Sequence, residues 1–477
     1  MLFNSYIYFI FFFFVLLTVK LLERNVRLQH LFIVGSSAFF YGYWDYRYLA
    51  LIFISIITAY ISAIYMARPS SQHKKAALSA AILINLSILC IFKYYNFFSE
   101  SIAQLLTNLG FAYQPVFIDV LLPVGISFYT FQIIAYCVDV YAQRMAPCRS
   151  LLVFSQFVLF FPQLVAGPIE RAKDLIPQLR QAKIITFENV AAGVGLIILG
   201  LFKKCFVGDS LGMYVVDPIF SSPGSPFELI LAVVSFAVQI YCDFSGYCDV
   251  AIGSALCLNV RLNRNFRAPY LSLSIQDFWR KWHVTLSYWF RDYVYIPLGG
   301  NQKGEVRTYC YLFITMLACG LWHGASYIFI LWGAYHGLLL VLHRMYRKIF
   351  NHKYFMENRL YSVFSWATTF IAVLYGWLIF RSPNIDSFYV YNTMLFHNIV
   401  YSKTVAPLEL QLFVSFMLLL TLLFHLHQNN GNNYNGFGES IVDKHPLSSA
   451  FFCGAMISVS ILLGNFNGSM NFIYFQF

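Results

Sequence analysis

Residues 226–257, PFELILAVVSFAVQIYCDFSGYCDVAIGSALC, decide the fold: Glu228, Asp243 and Asp249 are the charged positions in an otherwise apolar stretch. A helix of about 20 apolar residues crosses a bilayer, so this run spans with length to spare. Similar runs precede it near 5–22, 30–44, 47–67, 76–95, 115–141, 150–168 and 188–208. Others follow near 309–325, 326–343, 360–381, 409–427 and 448–466. Some are short enough to be re-entrant or to lie along the surface. The pattern predicts an all-α polytopic membrane protein with about eleven transmembrane helices and some interfacial ones. No internal repeat and no soluble domain of independent size breaks it, so 1–477 reads as a single membrane-embedded domain.

Composition agrees. The 477 residues are 59% hydrophobic and 11% charged, with a mean hydropathy of +0.63. Soluble chains carry about a quarter charged residues, and water could not solvate so apolar a surface. Lipid is the expected solvent. The net charge of +11, from 32 Lys and Arg against 21 Asp and Glu, does not point to nucleic acid. The excess sits in short loops between apolar runs, with no nucleic-acid-binding motif of interleaved basic and aromatic residues. The ten cysteines form no CxxC pair and no Cys/His cluster of metal-ligand spacing, so no metal and no disulfide framework is expected. The first run has no basic residue before it and no small-residue cleavage site after it, which reads as a retained helix.

Basic residues set the expected orientation. Arg24 and Arg27, then Arg68, Lys74 and Lys75, then Arg144 and Arg149, then Arg344, Arg347, Lys348 and Lys353 fall on one side under strict alternation. Stretches 97–114 and 209–225, read as the opposite loops, carry almost none. Positive loops stay cytoplasmic, which puts the N-terminus outside. The Asn- and Gly-rich stretch 428–446 reads as a flexible cytoplasmic loop. Leu258–Thr308 carries eight Lys or Arg against Asp277, Asp292 and Glu305, interleaved with Trp and Tyr. Such a mixture suits the membrane interface, with a cationic surface for an anionic donor at Arg280 and Arg291. Arg347 and Lys348 are expected to lie apart from that surface.

Polar groups inside apolar runs are costly, so chemistry is sought there. The first cluster, Gln239 to Asp249, holds Asp243, Ser245 and Tyr247; it reads equally as a hydrogen-bonded knot between helices or as the wall of a site. The second, Phe278 to Tyr293, holds Trp282, His283 and Ser287. A helix through it would put His283 and Ser287 on one face, and the bland alternative is an interfacial helix without chemistry. The third is Gly320-Leu-Trp322-His323-Gly324, with His336 thirteen residues on. Imidazole alone exchanges protons near neutral pH at its unperturbed pKa, and flanking glycines leave room for a close approach. A lone membrane histidine is otherwise a packing residue.

Three long segments in order resemble the membrane-bound O-acyltransferase superfamily: YCDFSGYCDVAIG (241–253), NFRAPYLSLSIQDFWRKWHVTLSYWFRDYVYIPLGGN (265–301) and GLWHGASYIFILWGAYHG (320–337). Within it the chain is most similar to the alginate O-acetyltransferase branch of bacterial polysaccharide acetylases. LLPVGISFYTFQIIAYCVDVY (121–141) and FFPQLVAGPIER (160–171) are similar to that branch too, and the likeness is strongest over 121–343. Lys281, Gln302 and Arg267 depart from its usual residues, which touches donor details more than reaction type.

The resemblance implies helices around a central funnel or tunnel, with His323 near its narrow point as catalytic base and His283 as a second catalytic histidine. Asp243, Ser245, Tyr247, Trp282, Ser287, Arg280, Arg291, Trp322 and His336 would line the substrate and donor path. It implies no bound cofactor, acetyl-CoA or another acyl thioester as donor, and an extracytoplasmic polysaccharide acceptor reached with a separate transferase partner. The location implied is multi-pass in the inner membrane. A D-alanyl or lipid acyltransferase of the same superfamily, or a transporter of acylated cargo, are the rival readings; no inverted repeat or paired broken helices support the last.

Overall fold

The computed structural model describes residues 1–111, 113–119, 121–350, 359–397, 406–430 and 446–464. Every regular element among them is helical. Among the described residues, seven helices are long and apolar enough to cross a membrane: Val26–Met66, Lys74–Asn108, Phe187–Ser221, Pro226–Cys257, Tyr327–Ile349, Arg359–Arg381 and Leu408–Gln428. Tyr6–Leu21, Ile126–Tyr141 and Cys453–Leu463 are shorter apolar helices. Val26–Met66 is compound. It joins Val26–Asp45 to Leu49–Met66 through a tight turn at Tyr46–Tyr48. Its 41 residues, at 1.5 Å each, would run about 60 Å, twice the hydrocarbon thickness. The chain is thus an all-α polytopic membrane protein.

It packs as two compact units: Met1–Val194 with Ala251–Asn263, and Gly195–Val250 with Arg264–Phe477. In the first, the rings of Phe3, Tyr8, Phe12, Phe40 and Phe161 form one aromatic core. Polar clasps hold the returning 251–263 segment to it. Tyr8 Oη lies 2.6 Å from Ser254 Oγ, and the buried Glu170 carboxylate accepts from the backbone N–H and side-chain amide of Asn263 at 2.5 and 2.7 Å.

The second unit is built around a hairpin of two helices, Glu305–His323 and Tyr327–Ile349. A methyl group on Gly320 would run into the Phe329 carbonyl and the Gly333 backbone, and one on Gly333 into the Met316 carbonyl. Only glycine lets the two backbones come this close. The glycines near His323 therefore serve packing: Gly324 too is closed off, by the Phe329 ring. The close approach that the glycines permit is, at Gly320, that of another backbone.

Other expectations are revised as well. Helix continues through 209–221 as part of Phe187–Ser221, and Tyr95–Asn108 is helical, so 97–114 and 209–225 are mostly not loops. The Leu408–Asn430 helix extends past Gln428, and 431–445 lies outside the described residues. Ile385–His397 forms a helix that hydropathy alone did not single out. Between Leu258 and Gly304 the helices are Pro269–Leu271, Ile275–Lys281 and a stretch that runs from Val284 through to Leu298.

Candidate active site

His323 ends its helix with its side chain buried, 3% exposed. Its ring meets Trp332 at 4.9 Å and Phe380 at 5.3 Å, both edge-on. Trp332 comes from the partner helix of the hairpin and Phe380 from Arg359–Arg381. His336 is one turn beyond Trp332 on the same helix face; it is buried, 4.7 Å from Trp332 and 5.2 Å from Trp279 by ring centroids. Trp377 stacks over Trp332 at 6.4 Å and reaches Trp282 at 4.8 Å. The histidines thus sit in a wall of indoles and phenyl rings contributed by four helices. Trp332, Trp377 and Phe380 were not foreseen; their signal was large aromatics at helical spacing beside the histidine motif.

His283 is placed differently from the sequence expectation. It is not inside a helix: it caps Val284–Phe290 with a left-handed backbone, φ 42°. Such a conformation is uncommon for a non-glycine residue, and it is held from outside. Asn265 O accepts from Val284 N–H at 3.0 Å, Asn265 Oδ1 accepts from Thr285 Oγ1–H at 2.7 Å, and Arg267 N–H donates to Lys281 O at 3.0 Å. Ser287 N–H still donates to His283 O at 3.0 Å, but the two side chains have different surroundings. His283 turns inward, its ring 4.7 Å from Phe244 and 5.9 Å from Trp322, whereas Ser287 faces a cavity. Burial lowers the His283 imidazole pKa from its ordinary value, so the ring is neutral. Trp322 lies between the two histidine rings, 4.9 Å from His323. Trp282 is buried in the aromatic wall.

The cavity measures about 810 Å³. Arg267, Arg280, Arg291, Arg344, Arg347 and Lys348 line it against a single carboxylate, Glu305. Arg280 and Arg291 thus line one cavity. Arg347 and Lys348 share the same wall, which overturns the expectation that they lie elsewhere. Arg291 is already engaged: it bonds Asp292 at 2.6 and 3.2 Å and stacks on Tyr288 at 4.5 Å. Arg280 has no ion pair among the described residues. The cavity wall also includes Leu312, Thr315, Met316 and Cys319. These lie along one helix face, and Cys319 is one turn, about 6 Å of rise, before His323.

Asp243, Ser245 and Tyr247 line no part of this cavity. Asp243 belongs to a buried ion cluster: Lys204 Nζ lies 2.8 Å from Asp243 and 2.5 Å from Asp209, and Lys203 Nζ lies 2.6 Å from Asp249. Lys203 and Lys204 come from the middle of Phe187–Ser221. Two lysines in an apolar run were the readable signal, because a membrane cation needs a partner. Ser245 and Tyr247 are buried beside this cluster in sequence.

Residues 146–382 match the family described as MBOAT, membrane-bound O-acyltransferase. The chain is 39% identical over 75% of its length to a probable alginate O-acetylase of Pseudomonas putida, covering 73% of that protein. It is 35% identical to a peptidoglycan O-acetyltransferase of Helicobacter pylori, over 76% of this chain and 73% of the relative. A teichoic acid D-alanyltransferase of Bacillus subtilis is 30% identical over 54% of this chain and 68% of its own length. A membrane-embedded helical chain, its buried histidines on the motifs first seen in sequence, and relatives of this kind lead to one conclusion: the protein is an acyltransferase and belongs to the membrane-bound O-acyltransferase family.

Proposed function

We propose that the protein moves an acetyl group from a cytosolic thioester, such as acetyl-CoA, to a hydroxyl of an extracytoplasmic cell-surface polysaccharide, with His323 as general base. The observation that carries the reading is the cationic cavity whose wall climbs one helix face to within a turn of His323. Six Lys or Arg against one carboxylate suit the phosphates of an anionic donor, and Arg binds phosphate bidentately. The apolar wall formed by Leu312, Met316 and Cys319 suits the acyl-bearing arm.

In the step proposed, His323 takes the proton of the attacking hydroxyl. The hydroxyl oxygen forms a bond to the thioester carbonyl carbon, the C–S bond breaks, and the leaving thiolate receives the proton from the imidazolium. Proton transfer by a placed base contributes about 10²–10⁴ in rate. The nucleophile is either the sugar hydroxyl itself or that of a carrier used by a separate extracytoplasmic transferase. His283, neutral and held across Trp322, orients the carbonyl. The two acetyl-transferring relatives are matched more widely than the D-alanyl one, which favours acetyl over D-alanyl.

Sidedness tests the reading. Basic loops near Lys75 and Lys348 are assigned to the cytoplasm of the inner membrane, with the N-terminus outside. In sealed vesicles of each orientation, labelled acetyl-CoA should be consumed only when supplied to the face carrying those loops. Reporters after Lys75 and Lys348 should agree with each other and oppose one placed at 222–225. Consumption from both faces, or from the opposite one, would sink the proposal.

A further inference from the structure

The helix Leu408–Asn430 lies outside the 146–382 stretch that matches the family, yet it enters the surroundings of the site through a polar stripe. Thr421, His425 and Gln428 follow one another at four and three residues, so they share a face. His425 is buried; its Nδ1 lies 2.9 Å from the Thr421 carbonyl, so this nitrogen carries the proton. The His425 ring stacks on Tyr270 at 5.4 Å and 13°, and lies 4.4 Å from Tyr241. Gln428 Oε1 accepts two hydrogen bonds, from Ala268 N–H at 2.9 Å and from Tyr241 Oη–H at 3.2 Å.

Ala268 is the point at issue. Its φ is +50°, in the left-handed region where a Cβ is crowded, and no glycine supplies the freedom. The turn it makes separates two residues with different duties. Arg267 lines the cationic cavity, and Tyr270 packs 6.1 Å from Trp282, the neighbour of His283. Arg267 N–H is itself held by Lys281 O at 3.0 Å, so without a partner for the Ala268 N–H the left-handed turn next to Arg267 would lose one of the bonds that hold it and Arg267 would be less firmly placed.

We infer that Gln428 is a positioning residue, whose side-chain oxygen holds Ala268 in its left-handed turn and so fixes Arg267 on the cavity wall. This rests on the donor reading proposed above for that cavity. Gln428 is partly exposed, so its second polar atom is not confined. A glutamate in its place keeps an acceptor at the same reach, whereas methionine keeps the shape and removes the acceptor.

The test uses the full-length protein in four forms: Gln428→Met, Gln428→Glu, Ala268→Gly, and the Gln428→Met/Ala268→Gly pair. Two readouts are taken: hydrogen–deuterium exchange of the peptide containing Ala268, and the acetyl-CoA concentration giving half-maximal acetyl consumption. Gln428→Met should speed exchange at this turn and raise the half-saturating concentration roughly three- to tenfold, the loss of one hydrogen bond. Gln428→Glu should restore both. Ala268→Gly should suppress the activity defect of Gln428→Met, because glycine adopts positive φ without help. A merely structural Gln428 would show no such suppression. Unchanged exchange in Gln428→Met overturns the inference, as does faster exchange with unchanged donor use. If the unsubstituted protein does not consume acetyl-CoA at all, the donor reading falls, and the exchange arm alone still decides whether Gln428 holds the turn.

Discussion

Two buried polar regions of the second unit are satisfied by opposite means. Around Asp243, charge meets charge: Lys203 and Lys204 face Asp209, Asp243 and Asp249 at 2.5–2.8 Å. Around His323 and His336, the packing is by rings, with Trp332, Trp279 and Phe380 centroids 4.7–5.3 Å away. The first arrangement ties Phe187–Ser221 to Pro226–Cys257 and consumes the charges it brings together. The second seats the imidazoles of His323 and His336 among aromatic rings. Sequence alone presented both as polar islands in apolar runs. Their difference is one of partner: opposite charges in the one, aromatic rings in the other.

The largest expected effect is on stability, at the ion cluster. Lys204→Met should leave Asp209 and Asp243 buried without their cation, a loss of about 3–5 kcal/mol. The folded fraction recovered from membranes and its thermal midpoint in detergent measure this. His323→Ala should do the reverse, cutting acetyl consumption about 10²-fold or more with recovery and midpoint unchanged. A stable, inactive Lys204→Met or an unfolded His323→Ala would break the comparison.

The cavity sharpens it further. Arg280→Gln should raise the half-saturating donor concentration roughly tenfold, the scale of one charge-assisted hydrogen bond. Arg291→Gln should raise it only about threefold, because its guanidinium is already shared with Asp292 and Tyr288. Both effects should weaken at high salt. Arg347 and Lys348 line the same cavity, so their replacement by Gln should also be felt. The smallest effect is expected from Lys74→Gln and Lys75→Gln, which belong to the other compact unit. Equal losses from these and from Arg280→Gln would mean a general surface-charge effect and no donor site.

Much of the fold was legible before any coordinates. Pro226–Cys257, Tyr327–Ile349 and Arg359–Arg381 lie where uninterrupted apolar runs put them, since hydropathy over about 20 residues is a local property. Runs that ended at a charge misled. The stretch 209–225 lies between two apolar runs and suggests a loop, yet Asp209 pairs with Lys204 and the helix carries on to Ser221. Likewise Gln428, at the edge of the asparagine-rich stretch, is still helical and bonded to Ala268.

For the site, residue types drew attention to His323, His283, Arg280 and Arg291, since ionisable groups in a membrane protein are costly, but the roles proposed for the two histidines came from the family resemblance and remain proposals. What the chain could not reveal by itself was company. That His283 sits at a left-handed break braced by Asn265, that Arg347 and Lys348 join Arg280, and that Asp243 pairs with Lys204 all depend on residues well apart in the chain. Local patterning determines which segments become helices and which residues are expensive to bury. Only tertiary packing, which brings distant segments within hydrogen-bonding and ring-contact distance, decides which partner each of those residues receives.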